Sequence, residues 1–515
     1  MDIDFKQSKF NEAELERAII ALFNEQGYTH LQGDKLHRKL DEVILEDDLR
    51  LFLARSYDDL TENEIVKIIA KIKSIPHNPL YQGNRDCFWL VNEGFDLKRD
   101  RKKEPIHIDY INYDDFNKNH FKIVSQMSVA NSDGNSVRIP DLIVHINGLP
   151  IAILEFKSAI REDATISDAH KQVTIRYTRD IPRLLKYNFL SVISDGANTR
   201  LGTVFTPYEF YYAFNKANDK DKIASGIQSL VTMIKGVFEK ERLIAILHDF
   251  IYYADTKQRA VVCRYPQFFG STKMYASVRH ALKPQGDGKG GIYFGATGCG
   301  KTMTMLYLSR LLALRDNSKF ANPTIIILTD REDLDTQTSE LFEQSKRFLR
   351  EESVKSIESK KELKSILGNT KSGGIYIITI QKFSEDIGLL SSRNNIICIS
   401  DEAHRTQTNT GSKMKLTDKG VFVSHGFAKY LRDGFPNATY CGFTGTPIDE
   451  TVAVFGEIID SYTMKQSTDD KITVPLTYEP RLARVILSDE QAREIKQYYS
   501  KCIDDGANPE QVETS

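Results

Sequence analysis

Gly295-Ala296-Thr297-Gly298-Cys299-Gly300-Lys301-Thr302 decides how this chain folds. The octapeptide follows the apolar run Gly291 to Phe294 and opens a helical stretch, so it occupies a strand-to-helix turn. Its glycines let successive backbone N–H groups converge on a polyphosphate, and the helix N-terminus adds a favourable dipole. Lys301 can reach the β- and γ-phosphates, and the Thr302 hydroxyl can ligate Mg²⁺. The pattern specifies a nucleoside triphosphate site whose contacts are Gly295, Thr297, Gly298, Gly300, Lys301 and Thr302.

Downstream, helices are predicted over 301–314, 332–349 and 359–367, alternating with strands at 324–328, 375–379, 396–399 and 438–443. Apolar β-rich runs between helices mean a parallel sheet buried on both faces, with its ligand edge at the strands' carboxyl ends. Asp401-Glu402-Ala403-His404 sits at such an end. Asp401 can hold Mg²⁺ through water, and Glu402 can position and deprotonate an attacking water. Thr444-Gly445-Thr446-Pro447 closes the next strand and by itself is an ordinary turn. Upstream, residues 224–252 read as helical, and Arg264-Tyr265-Pro266-Gln267 precedes a further helix.

The N-terminal third has a different character. Leu15, Ala18, Ile19, Leu22 and Phe23 at helical spacing predict an opening helix that carries Glu16, and residues 34–75 repeat the helical period. Strands are expected at 88–91, 106–111, 121–127, 141–146 and 151–156, with the basic run at 98–103 capping a hairpin. Ile139-Pro140-Asp141, then Glu155-Phe156-Lys157, looks like the core of a metal-dependent nuclease. Phosphodiester cleavage needs a cation to polarise the phosphate and acidify a water, and carboxylates such as Asp141 and Glu155 hold hard Mg²⁺. Lys157, two residues along the same strand, emerges on the face of Glu155. Alone, the pattern also occurs by chance at strand ends. Asn147-Gly148 signals a two-residue turn, but strict pairing would set Asp141 opposite Leu154 and turn Glu155 away. A three-residue loop or a bulge near Leu149-Pro150 is therefore expected, to bring Asp141 opposite Glu155. Residues 162–187 read as helical and carry Gln172 and Tyr177; a further hairpin spans 191–205, and the polar stretch 215–222 marks a boundary.

The totals set limits. With 515 residues, 41% hydrophobic and 27% charged, the chain is too long for one core, and no apolar stretch is long enough to cross a bilayer. Six cysteines lack paired spacing, so neither a disulfide framework nor a zinc site is indicated and a reducing cytoplasm fits. Lys plus Arg (69) nearly balances Asp plus Glu (71), so a nucleic-acid surface would be a local groove.

The phosphate loop, the Asp401–His404 tetrad and the Thr444–Pro447 turn together resemble superfamily 2 helicases and translocases. The resemblance implies that Gln267 reads adenine, that His404, Thr444 and Thr446 couple nucleotide state to nucleic-acid grip, and that Thr329, Arg331, Thr379 and Gln381 touch the tracking strand. With Glu16, the "NGLP" hairpin, Gln172, "SDGAN" at 194–198 and "GEIIDSY" at 456–462, it narrows to the restriction subunit of type I restriction–modification enzymes. Tyr177 follows Gln172 by five residues where that family's nuclease motif has four. The implied architecture is α/β: a PD-(D/E)xK nuclease-like domain at 1–222, a RecA-like ATPase lobe with a helical lead-in at 223–465, and at 466–515 the start of a truncated second lobe. The implied protein is an ATP-dependent translocase and Mg²⁺-dependent endonuclease acting on double-stranded DNA with methyltransferase and specificity subunits. Ending about where the second lobe and its arginine finger would begin, this stretch is expected to bind ATP and turn it over poorly. A repair or other defence helicase–nuclease, or a non-catalytic DNA-binding assembly subunit, are the alternatives.

Overall fold

Two sheets position the candidate chemistry. The structure, a computed structural model, describes residues 12–99, 104–157, 165–224, 226–330, 332–383, 388–404, 412–417, 420–425 and 427–475, with single positions at 490, 493, 494, 496, 497 and 500. The first sheet has six strands in the order Thr29–Gln32, Phe121–Ser125, Leu142–Ile146, Leu149–Phe156, Leu190–Ser194, Thr199–Gly202. All eight residues of Leu149–Phe156 are buried, which is why that strand reads as an apolar run broken only by Pro150 and Glu155.

Asn147 (φ +50°) and Gly148 (φ +82°) make a two-residue turn between the third and fourth strands. Beyond it Ile146 pairs with Leu149 and His145 with Pro150, but Val144 pairs with Ala152, leaving Ile151 as an extra residue. The bulge thus lies just after Pro150, and the loop itself is not lengthened. The shift sets Leu142 opposite Leu154, so the next position out carries Asp141 beside Glu155.

The second sheet is wholly parallel, with seven strands in the order Val354–Ser356, Ile375–Thr379, Thr324–Thr329, Ile396–Ser400, Thr439–Thr444, Lys289–Gly295, Ile458–Tyr462. The phosphate loop, Asp401–His404 and the Thr444–Pro447 turn all follow the carboxyl ends of its strands. One face of this sheet and the whole first sheet share a continuous apolar core that runs from Leu15 to Tyr462. The other face packs Ile326, Leu328, Ile378 and Cys398 against Leu431, Phe435 and Phe455.

Several elements differ from expectation. Residues 88–91, expected as a strand, lie in the Leu80–Glu93 helix, which ends at Gly94 (φ +65°). The aromatic and β-branched run Phe88 to Val91 mimics a strand, yet Tyr81, Asn84, Phe88 and Val91 fall on one buried helical face. The helical expectation for 224–252 holds over Ile227–Val237 and Lys240–Asp249, but Ile251–Ala254 is a strand paired with Arg259–Val262. The chain through Thr473 forms one compact unit, and Val474–Ser515 is a second. The divisions at 222 and 465 therefore fall inside the first unit, where Asn215 Nδ2 donates to Asp470 Oδ1 at 2.8 Å and Arg242 Nη1 to the Ala217 carbonyl at 2.6 Å. Of the stretch 466–515, expected as the start of a second lobe, 466–475 are described and include the end of the Met464–Asp469 helix, and most of 476–515 lies outside the described residues. Among the described residues no helix is long and apolar enough to cross a membrane. Five cysteines are buried and free; Cys502 is outside the described residues.

Candidate active sites

The upstream site stands at the open end of the bulged hairpin. Asp141 Oδ2 accepts the Phe156 N–H at 2.7 Å, which clips Asp141 to the strand that carries Glu155. Glu155 is 1% exposed, and three side chains grip its carboxylate. Lys157 Nζ donates to Oε1 at 2.8 Å, the Tyr177 hydroxyl to Oε2 at 3.0 Å, and Gln172 Nε2 to Oε1. Burial pushes the Glu155 carboxyl above its usual range, and the Lys157 charge and these hydrogen bonds oppose the push. Gln126, at φ +52°, ties Glu16 to the same place: its N–H donates to the Asp141 carbonyl at 3.1 Å and its Nε2 to Glu16 Oε2 at 3.0 Å.

The five-residue spacing from Gln172 to Tyr177 has a structural answer. Gln172–Tyr177 is a π-turn, whose wider coil takes one more residue than an α-turn and brings side chains five apart into line. Gln172 Nε2 accordingly reaches the Tyr177 oxygen at 2.7 Å, and both reach Glu155. Among the described residues, no three His, Cys, Asp or Glu side chains gather into a metal cage. Two carboxylates with water completing the shell are what Mg²⁺ commonly takes, and the buried, charge-short Glu155 beside Asp141 fits such a donor set.

The downstream site is organised by the phosphate loop. Gly298 and Gly300 hold φ of +80° and +91°, and a Cβ on Gly300 would sit 2.7 Å from Gln267 Nε2. Lys301 Nζ lies 3.3 Å from both the Gly295 carbonyl and Glu402 Oε1. Gln267 is buried, and its Nε2 donates to the Gly300 carbonyl at 3.4 Å. Burial first, then the neighbouring Glu402 charge, pushes the Asp401 carboxyl up to about 6. Glu402 has φ +44°, a left-handed backbone that side chains seldom adopt outside functional turns. His404 Nδ1 lies 2.7 Å from Thr444 Oγ1 and 3.4 Å from Glu402 Oε2, and Thr444 Oγ1 accepts the Thr446 N–H at 3.1 Å. A Cβ on Gly445 would meet Thr297 Oγ1 at 3.3 Å, so this turn lies against the phosphate loop.

Known proteins match along the same division. The family described as type I restriction enzyme R protein N terminus matches residues 9–210, and that described as SWI2/SNF2 ATPase matches residues 266–511. The chain belongs to the type I restriction enzyme R-protein family. The type I restriction enzyme HindI endonuclease subunit of Haemophilus influenzae is 29% identical over 496 residues, which are 91% of this chain and 46% of that protein. The type I restriction enzyme SauCOLORF180P endonuclease subunit of Staphylococcus aureus is 25% identical over 456 residues, 84% of this chain and 44% of its own length. The chain spans about half the length of the curated relatives it matches. A solved nuclease-deletion mutant of the Type ISP restriction-modification enzyme LlaGI, in complex with a DNA substrate mimic, covers 49% of this chain and 23% of its own at 15% identity and a TM-score of 0.27, too low to carry an argument.

In this R-family chain the expected DNA-contacting residues are unequally exposed: Gln381 is at the surface and the two threonines are not. Thr329 and Thr379 are buried at neighbouring strand ends, Gln381 gives its amide to the Asp330 carbonyl, and Arg331 lies outside the described residues. The Thr302 side chain is half-buried at the start of its helix. Sequence reasoning passed over Gln126, which no motif marks and whose bonds to Asp141 and Glu16 only the fold reveals. It also passed over Asp470, which accepts from Tyr265, from Tyr462 at 2.7 Å and from Asn215.

Proposed function

We propose that this chain carries the nuclease and the ATP-binding first lobe of the motor of a type I restriction complex, which moves double-stranded DNA by ATP hydrolysis and cuts unmodified DNA with Mg²⁺. The observation that carries the reading is the convergence of Asp141, Glu155, Lys157, Gln172 and Tyr177 on one carboxylate-centred site, in a chain that also holds a complete phosphate loop facing Asp401 and Glu402.

At the nuclease site, Asp141 and Glu155 would hold Mg²⁺, which supplies Lewis-acid polarisation of the scissile phosphate and acidifies a water. Lys157 balances the buried Glu155 charge now and is placed to neutralise charge that develops on the phosphate. Gln172 and Tyr177 are positioning residues that fix both Glu155 oxygens, leaving the carboxylate little freedom to turn away. At the motor site, Thr302 and Asp401 would hold Mg²⁺ with ATP. The Lys301–Glu402 pair occupies two functional groups with each other. Phosphates drawing Lys301 away would free Glu402 to orient and deprotonate the attacking water. His404 spans Glu402 and Thr444, so a change at Glu402 reaches the turn after the next strand.

The partners proposed are methyltransferase and specificity subunits, the latter reading the DNA sequence. The test is cleavage by the protein assembled with such subunits. Unmodified DNA should be cut only when both ATP and Mg²⁺ are present, and methylated DNA should survive. Equal cutting of both DNAs, or cutting without ATP, would turn the reading toward a nuclease outside restriction.

A further inference from the structure

Gln126 follows the Phe121–Ser125 strand, on the sheet edge where Asp141 precedes Leu142–Ile146 and Glu155 lies near the end of Leu149–Phe156. Since Ser125 pairs with Leu142, Gln126 takes the next place across from Asp141, and its N–H donates to the Asp141 carbonyl at 3.1 Å. A regular strand residue there would keep its side chain on one face of the sheet. Gln126 instead turns left-handed, with φ +52°, and its Nε2 donates to Glu16 Oε2 at 3.0 Å on the Glu12–Glu25 helix. That backbone is disfavoured for a residue with a side chain, and the fold makes room for it. Gly33 follows Thr29–Gln32, the strand paired with Phe121–Ser125, and a Cβ on Gly33 would fall 2.4 Å from the Gln126 carbonyl oxygen and 2.5 Å from the Met127 Cα.

The same helix touches the far side of the site. Leu15, next to Glu16, is buried, and its Cδ2 lies 3.8 Å from where a Cβ on Gly196 would stand, in the turn after Leu190–Ser194. In the sheet, Phe121–Ser125 and Leu190–Ser194 flank the two strands that Asp141 and Glu155 belong to or adjoin. A helix held at both flanks crosses the edge where those carboxylates stand. The tie to Gln126 then decides which way the half-buried Glu16 side chain points, and a neutral amide orients a carboxylate without cancelling its charge.

We propose that Gln126 is a positioning residue of the nuclease site: its left-handed turn directs its amide to Glu16 and so aims the Glu16 carboxylate at the divalent cation that Asp141 and Glu155 would hold. The inference rests on the reading of Asp141 and Glu155 as a cation site. It goes beyond that reading in making cation affinity depend on a glutamine that touches neither substrate nor metal, and in assigning the strained backbone at Gln126 a purpose.

The test is titration of the full chain with Mn²⁺, which takes the same oxygen donors as Mg²⁺, followed by the free-ion electron paramagnetic resonance signal with neither nucleotide nor DNA present. Gln126→Gly removes the amide but keeps the N–H to Asp141 and suits the left-handed backbone, so without cation its melting temperature should stay within about 2 °C of the parent. Its Mn²⁺ affinity should fall by about tenfold, as loss of a group that orients a metal ligand does. Glu16→Gln should show a similar loss, and adding Gln126→Gly to it should weaken binding no further, because the two act as one unit. Unchanged affinity in Gln126→Gly would overturn the proposal. So would a further loss in the double variant, which would mean that Gln126 acts through the Asp141 backbone or through stability and not through Glu16. Asp141→Asn separates the levels: if it binds Mn²⁺ like the parent, the cation site itself is wrong, whereas if it loses Mn²⁺ while Gln126→Gly keeps it, only the role of Gln126 fails.

Discussion

At Glu155 a buried carboxylate, the proposed metal ligand, is held by neutral donors and by Lys157, whose charge offsets part of the cost of its burial. Removing the Tyr177 hydroxyl leaves Oε2 without that donor, and removing Gln172 frees Oε1 on its open side. Tyr177→Phe and Gln172→Ala should each lower cleavage by about 10-fold or more and raise the Mg²⁺ concentration needed for half-maximal rate, as loss of groups that orient metal ligands does. A Mg²⁺ titration of the cleavage rate checks this; an unchanged Mg²⁺ midpoint would remove their positioning role. The candidate residues themselves were legible, because Asp, Glu-x-Lys and the phosphate loop are chemical signatures in the chain. Gln126 was not, since one glutamine in a turn carries no pattern and acts through a backbone N–H and a side chain that meet Asp141 and Glu16 only in the fold.

Two one-residue irregularities bring that site together. The need for a register shift in the hairpin was legible, because alternation fixes which face each side chain takes and strict pairing would have parted Asp141 from Glu155. Its place at Ile151 was not legible, since several positions after the turn would serve equally. The π-turn is the second irregularity, and sequence spacing alone made Tyr177 look displaced when the wider coil restores its alignment. Ile175 is exposed within that turn, so its deletion should convert the π-turn to an α-turn and leave cleavage within a few-fold of the parent. Loss of cleavage in a folded deletion variant would show that the extra residue itself is needed. The same hairpin buries His145 completely beside the bulge, and burial pushes its imidazole down to about 3. An unfolded histidine takes its proton near pH 6.5, so stability is complete above that value and is lost as pH falls from about 6.5 toward 3. His145→Leu should therefore flatten the fall in melting temperature between pH 7 and 5, by up to a few kcal/mol of unfolding free energy at the acid end. Equal slopes for the two proteins would contradict that burial.

Across the molecule, the first and second sheets are joined by shared core and by buried charge. Arg310, on the Lys301–Leu314 helix that the phosphate loop opens, is 0% exposed. It pairs with Asp249 at 3.3 Å and donates to Asn92 Oδ1 at 3.1 Å on the Leu80–Glu93 helix. Arg350 reaches the same Asn92, and Asn92 Nδ2 donates to the Leu247 and His248 carbonyls at 3.0 and 2.9 Å. The parallel lobe was legible from its alternating strands and helices, but this joint was not: a polar stretch at 215–222 looks like a linker until its partners, such as Asp470 for Asn215, are known. The proposed motor and nuclease, held in one unit, predict that disabling one centre spares or spoils the other in a fixed order. The most direct measurement is DNA cleavage and ATP hydrolysis recorded together in the assembled restriction complex carrying Lys157→Ala or Lys301→Ala. Lys157→Ala should reduce cleavage by about 100-fold or more with ATP hydrolysis within about twofold, whereas Lys301→Ala should abolish both. Parental cutting by the Lys157→Ala protein, or ATP-dependent cutting by the Lys301→Ala protein, would contradict the account.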